Sequence, residues 1–218
     1  MFAAAGPLVH VGMAHVLAMQ PDANQLLRAA VGMVSLDGRC KTLDAAADGY
    51  VRAEACVIIR VDAYRGAAPT PAAILLAGSA VKQDGRSNGL TAPHGPSQQH
   101  VVIAAAKSCS IVAGMLAGVE MHGTGTPLGD PIEVGALSAV TNLQGSAGFA
   151  APCDLGSAKS LYGHGETAAG VIGIARAADR LAQLQRCPVS HLRTMNPYVA
   201  SAFLGSAGEA SIHTGDSG

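Results

Sequence analysis

Two of the chain's eight histidines stand in glycine-rich loops that directly follow short apolar runs, and this pairing constrains the fold more than any other feature. The first loop runs from Glu120 through His122, Gly123, Thr124, Gly125, Thr126 and Gly129 to Pro131, after the apolar run Val112 to Met121. The second runs from Lys159 through Gly163, His164 and Gly165 to Glu166, after the strand-like Leu155 to Ser160. Glycines let the backbone turn sharply and approach a ligand, leaving each imidazole at the end of a strand. In open α/β sheets that edge is where ligands bind. One histidine beside a glycine is an ordinary turn. Two such loops, with Lys159 five residues before His164, argue for a site.

The rest of the chain alternates strand and helix patterns, which places it in the α/β class. Strands are expected over Val9 to Ala18, Tyr50 to Val61 and Ala72 to Val81; the second is rich in β-branched residues. Helices are expected over Ala23 to Val34, from an N-cap at Ser97 to Ser108, over Pro131 to Val140 and from Glu166 to Gln185. Beyond Pro197 the periodicity fades, and 205–218 read as a disordered tail behind a single domain over 1–204.

Composition removes several function classes. With 14 basic and 15 acidic residues the chain has no electrostatic footprint for nucleic acid. No stretch is long and apolar enough for a membrane helix, and the apolar first twenty residues lack a positive leader, so a cytoplasmic location is expected, with an organellar one as the alternative. The five cysteines form no CxxC pair, which argues against zinc and a disulfide framework. Gly123, Gly125 and Gly129 follow GxGxxxG rather than GxGxxG, with Pro127 removing an amide donor, so the loop is a poor phosphate cradle. Hydrophobic residues make up 49% with no Trp and 27 Gly, a composition suited to close backbone packing in a layered core.

Four stretches resemble motifs of the β-ketoacyl synthase (ketosynthase) domain of type I polyketide and fatty-acid synthases, in family order. They are DGRCKTLDAAADGYVRAEA (37–55), VKQDGRSNGLTAPHGPSQ (81–98), VEMHGTGTPLGDPIEVGAL (119–137) and GSAKSLYGHGETAAG (156–170). The resemblance implies a thiolase-like layered α/β/α/β/α fold, here incomplete at both ends, and a homodimer in the complete protein. It implies decarboxylative Claisen condensation of a malonyl-type extender with an acyl thioester. No cofactor is bound directly; substrates ride on the phosphopantetheine of an acyl carrier protein, the expected partner. By position, His122 and His164 resemble the pair that binds the extender's thioester carbonyl, and Lys159 the lysine that supports them by hydrogen bonding. Thr124, Thr126 and Glu166 are expected in supporting roles. Decarboxylation develops negative charge on the thioester oxygen, which neutral imidazole N–H groups can stabilise. A buried, cationic Lys159 nearby would favour the neutral imidazoles.

The match departs from the family at several points. The resemblance places the nucleophilic cysteine before Met1, so no nucleophile is expected in this chain; Cys40, Cys56 and Cys109 read as small buried hydrophobes. The family's glycine-rich closing loop has no counterpart after Tyr198. Ala53 and Ala55 stand at family glycines and Gly165 at a usual threonine, leaving tight packing there open. The alternative to a condensing enzyme is an accessory ketosynthase-like protein that dimerises or docks a carrier protein.

Overall fold

The computed structural model describes residues 9–16, 29, 32–62, 74–85, 93–141, 152–186 and 189–203. Two two-stranded sheets carry the architecture. Strands β1 (Val9–Val16) and β2 (Ala55–Asp62) pair antiparallel over their full length, from Val9 opposite Asp62 to Val16 opposite Ala55. The short strands β3 (Gly118–Glu120) and β4 (Asp154–Gly156) pair parallel, with Gly118 opposite Asp154 and Glu120 opposite Gly156. The pairing extends one bond further, the Met121 N–H donating to the Gly156 carbonyl at 2.7 Å.

Helix α1 (Gly95–Ser108) begins with Pro96 in its first turn, where a missing N–H costs nothing. Its N-cap is His94 rather than the expected Ser97, which lies inside the helix with its hydroxyl 2.8 Å from His94 Nδ1. Helix α2 (Gly129–Ser138) starts two residues earlier than its proline suggests, because the Thr126 hydroxyl accepts the Gly129 N–H. A short helix α3 (Lys159–Tyr162) follows β4. The long C-terminal helix is expected from Glu166, but its first residues 166–168 form a 3₁₀ turn before α4 (Ala169–Gln183). Gly165 and the left-handed Glu166 impose that break. A fifth helix, α5 (Pro197–Phe203), stands where periodicity is expected to fade. It is seven residues long, too short to show two helical repeats, but it buries Val199 and Phe203 against α2.

The core cluster is built from Leu43, Met121, Val134, Leu137, Cys153, Leu155, Val189, Leu192, Val199 and Phe203, and buried alanines such as Ala136, Ala158 and Ala168 add small side chains to the interior. It joins β3, β4, α2, α5 and the 43–44 turn. The strand expected over 72–81 is absent from its described part, since 74–81 has no regular structure and leaves Ile74, Leu75, Leu76 and Val81 exposed. Most of the helix expected over 23–34 and all of the tail 205–218 lie outside the described residues. Among the described residues no helix is long and apolar enough to cross a membrane.

Candidate active site

The two histidine loops meet because the strands that launch them are parallel neighbours. β3 delivers His122 and β4 delivers Lys159 at the same edge, and both enter one cleft of about 410 Å³. Glu120, His122, Lys159, His164 and Glu166 line it on one side, and α4 closes the other with small residues such as Gly170 and Gly173. The imidazoles of His122 and His164 meet edge to face with centroids 5.4 Å apart, and Tyr50 packs edge-on against His164 at 5.0 Å.

The backbone of the first loop is held from below. The Glu133 carboxylate on α2 accepts the His122 N–H at 2.6 Å and the Gly123 N–H at 2.8 Å. Asp130 accepts the Gly125 N–H at 3.1 Å and, with its other oxygen, the Leu43 N–H at 2.8 Å. Thr42 and Ser157 hydroxyls both donate to the Gly123 carbonyl, at 2.7 and 3.1 Å. Gly123 has a φ of 44°, and a Cβ there would come within 2.7 Å of Ser157, so glycine is required. Thr124 and Thr126 lie 3.4 Å apart through their hydroxyls and act on the loop's own shape.

The second loop is pinned by the segment 50–54. The His164 N–H donates to the Val51 carbonyl at 2.7 Å and the Ala53 N–H to the His164 carbonyl at 3.0 Å. The Glu166 backbone N–H donates to His164 Nδ1 at 2.9 Å. An amide N–H can only donate, so Nδ1 is the acceptor and neutral His164 carries its proton on Nε2. The family departures compensate each other here: a Cβ on Gly165 would meet Ile172 at 2.9 Å and the Ala55 methyl at 3.4 Å. Ala55 and Ile172 occupy the room that Gly165 leaves.

Burial and charge set the protonation states. His122 keeps a face open to solvent in the cleft, but the protein packed around its other side holds its pKa down to about 4, with the Lys159 ammonium adding to the effect. Lys159 is itself buried, which lowers its pKa against the opposing pull of Glu133 and Glu120. Burial pushes the Glu120 and Glu133 carboxyls up. Glu120 accepts the Ala158 N–H and pairs with Arg176 at 3.5 Å, tying β3, the start of α3 and α4 together.

Sequence reasoning therefore locates His122, His164, Lys159 and Glu166 in one cleft, and misses Glu120, Tyr50 and Glu133. Glu133 lies in the same motif as His122, where its sequence position suggests only a residue complementing the helix dipole. Cys40 and Cys153 are buried as small hydrophobes, while Cys56 is exposed on β2, because alternate residues of that strand face solvent. None of these three, nor Cys109, lines the cleft.

Fold and site together define an α/β protein of the thiolase-like class, with paired histidine loops at one end of a parallel strand pair. Residues 73–193 match the family model of the beta-ketoacyl synthase C-terminal domain, and 12–65 that of its N-terminal domain. The chain belongs to the β-ketoacyl synthase family. It is 46% identical over 149 residues to a phenolphthiocerol/phthiocerol polyketide synthase of Mycobacterium tuberculosis, a stretch covering 67% of this chain and 7% of that protein. It is 47% identical over 149 residues to an erythronolide synthase of Saccharopolyspora erythraea, covering 67% of this chain and 5% of that one. The ketosynthase from module 6 of the bacillaene synthase of Bacillus subtilis superposes with a TM-score of 0.74 at 31% identity, covering 87% of this chain and 34% of that one. The chain thus spans a small part of the curated relatives and about a third of the solved ketosynthase.

Proposed function

We propose that this chain carries the extender half of a ketosynthase, binding a malonyl-type thioester and promoting its decarboxylation for condensation with an acyl thioester. The observation that carries this reading is the convergence of two imidazoles, 5.4 Å apart, in one cleft. The thioester carbonyl oxygen is placed to accept from His164 Nε2–H and from the His122 ring. As the bond to the carboxylate breaks, its electron pair passes into the enolate, carbon dioxide leaves, and charge grows on the oxygen that the N–H donors face. The enolate carbon then attacks an acyl thioester and expels its thiolate. The acyl-loading thiol is assigned to the two thirds of a ketosynthase that this chain does not span, since no described cysteine reaches the cleft. Burial, with the Lys159 ammonium adding to it, keeps His122 uncharged, and Glu133 holds the loop that aims it. An acyl carrier protein bearing phosphopantetheine is the partner this chemistry requires, in keeping with relatives that are polyketide synthases.

The test is release of carbon dioxide from malonyl-carrier protein by the chain and its variants. His122→Ala and His164→Ala are each expected to slow it by about a hundredfold, the scale of one lost oxyanion donor. Wild-type rates in both variants would remove the assignment, and a folded wild-type chain with no activity would favour the accessory reading.

A further inference from the structure

Arg52 is highly buried at the edge of the site; it falls within the 37–55 stretch, but the resemblance gives it no role there. It does not line the cleft, whereas its neighbour Glu166 does. Its backbone forms a parallel bridge with His164, and its guanidinium Nε lies 3.1 Å from Glu166 Oε1, with the two side chains only 9% and 22% exposed. Glu166 has a φ of 45°, the left-handed region that residues bearing a Cβ rarely enter. The Glu166 N–H, aimed by the backbone of Gly165 just before it (φ −74°, ψ 19°), points back onto His164 Nδ1. Strain of this kind persists only where surrounding contacts over-determine it. The ion pair is a contact that reaches from the pinned 50–54 segment to the strained residue.

We propose that the Arg52–Glu166 ion pair is a positioning device for His164. It holds Glu166 in its left-handed turn, keeps its N–H on Nδ1, and so fixes the ring in the Nε2–H tautomer facing the cleft. Arg52 acts through Glu166 and is a positioning residue rather than a catalytic one. The functional half of this inference rests on the reading of His164 as a donor to the enolate oxygen; the tautomer itself does not.

The experiment uses the full chain with ¹⁵N-labelled histidine, the His164 signals being assigned by their loss in His164→Ala. Wild type should show a single Nε2–H tautomer with a hydrogen-bonded Nδ1. Arg52→Ala should show mixed tautomers and a kcat for malonyl-thioester decarboxylation lower by about tenfold, with KM changed by less than about twofold. Arg52→Lys should recover most of both. A folded Arg52→Ala chain that keeps the single tautomer overturns the proposal. If that variant does not fold, Glu166→Gln removes the charge while keeping the shape, and an unmixed tautomer there overturns it equally. Absence of decarboxylation in wild type would sink the proposed function while leaving the tautomer result decisive for Arg52.

Discussion

At the scale of single residues, burial favours the neutral forms of both His122 and Asp130. His122 has an ordinary pKa near 6.5, so an unfolded chain takes up its proton as pH falls below that value. The folded chain does not until about pH 4. Between these limits the unfolded state binds more protons, so His122 costs the fold stability on acidification. Asp130 works in the opposite sense, because burial raises its carboxyl to about 6 and its ionisation weighs on the fold as pH rises towards that value. The two slopes overlap, so wild type alone would conceal both. Against a His122→Gln variant, wild type should lose thermal midpoint progressively from pH 6.5 to 4 and run parallel above pH 7. Parallel curves across the whole range would place His122 outside its packed environment. Glu133 is the second residue to test. Its removal strands two backbone amides, so Glu133→Ala should destabilise the fold by about 2 kcal/mol in denaturant titration and slow decarboxylation as well.

At the scale of elements, buried side chains reinforce the backbone bridges that join distant parts of the chain, such as the one between Asp44 and Met195. The Asp44 carboxylate accepts the Ala46 N–H at 2.7 Å and, through its other oxygen, the Arg193 and Thr194 N–H groups at 2.6 and 3.0 Å. Those backbone bonds outweigh its burial and hold its pKa below the usual carboxylate value. Its stabilising contribution is therefore present at neutral pH and lost as pH falls through the lowered value. Asp44→Ala should cost about 2–3 kcal/mol at pH 7 and loosen hydrogen-exchange protection at 193–196 first. Uniform loss of protection would mean that Asp44 supports the whole core instead. The elements flanking the site are legible in the sequence, since β-branched runs, a first-turn proline and glycine loops are local signals. Helix α5 is concealed there, too short for its period to register, and the strand expected over 72–81 is not formed by its described residues 74–81, which have no strand partner among the described residues. Of the site, the histidines and Lys159 are legible through their loops. Glu133 and Arg52 are not, because their partners are backbone atoms or side chains far away in sequence.

At the scale of the molecule, the described surface is unusually apolar for a chain on its own. Ile58 and Val61 on β2 and Ile174 and Leu181 on α4 are exposed, with Leu184 just beyond the helix at 93% exposure. α4 packs on β2, which places these residues on neighbouring elements. Large apolar side chains left this exposed are stabilised when other protein covers them. The isolated chain should therefore self-associate at micromolar concentration, and Ile58→Lys with Ile174→Lys should shift it towards the monomer in sedimentation velocity. A monodisperse wild-type monomer would mean that these side chains need no cover.

The register of β3 against β4 has one more consequence. Slipping one strand by a single residue would carry its loop about 3.3 Å along its neighbour and reverse which face its side chains occupy. His122 and Lys159 would then no longer share a cleft, and the slipped strand would turn its inward residue, Met121 or Leu155, out of the core. One alignment thus serves both the oil and the cleft, and a chain cannot lose the second by misregister without also weakening the first.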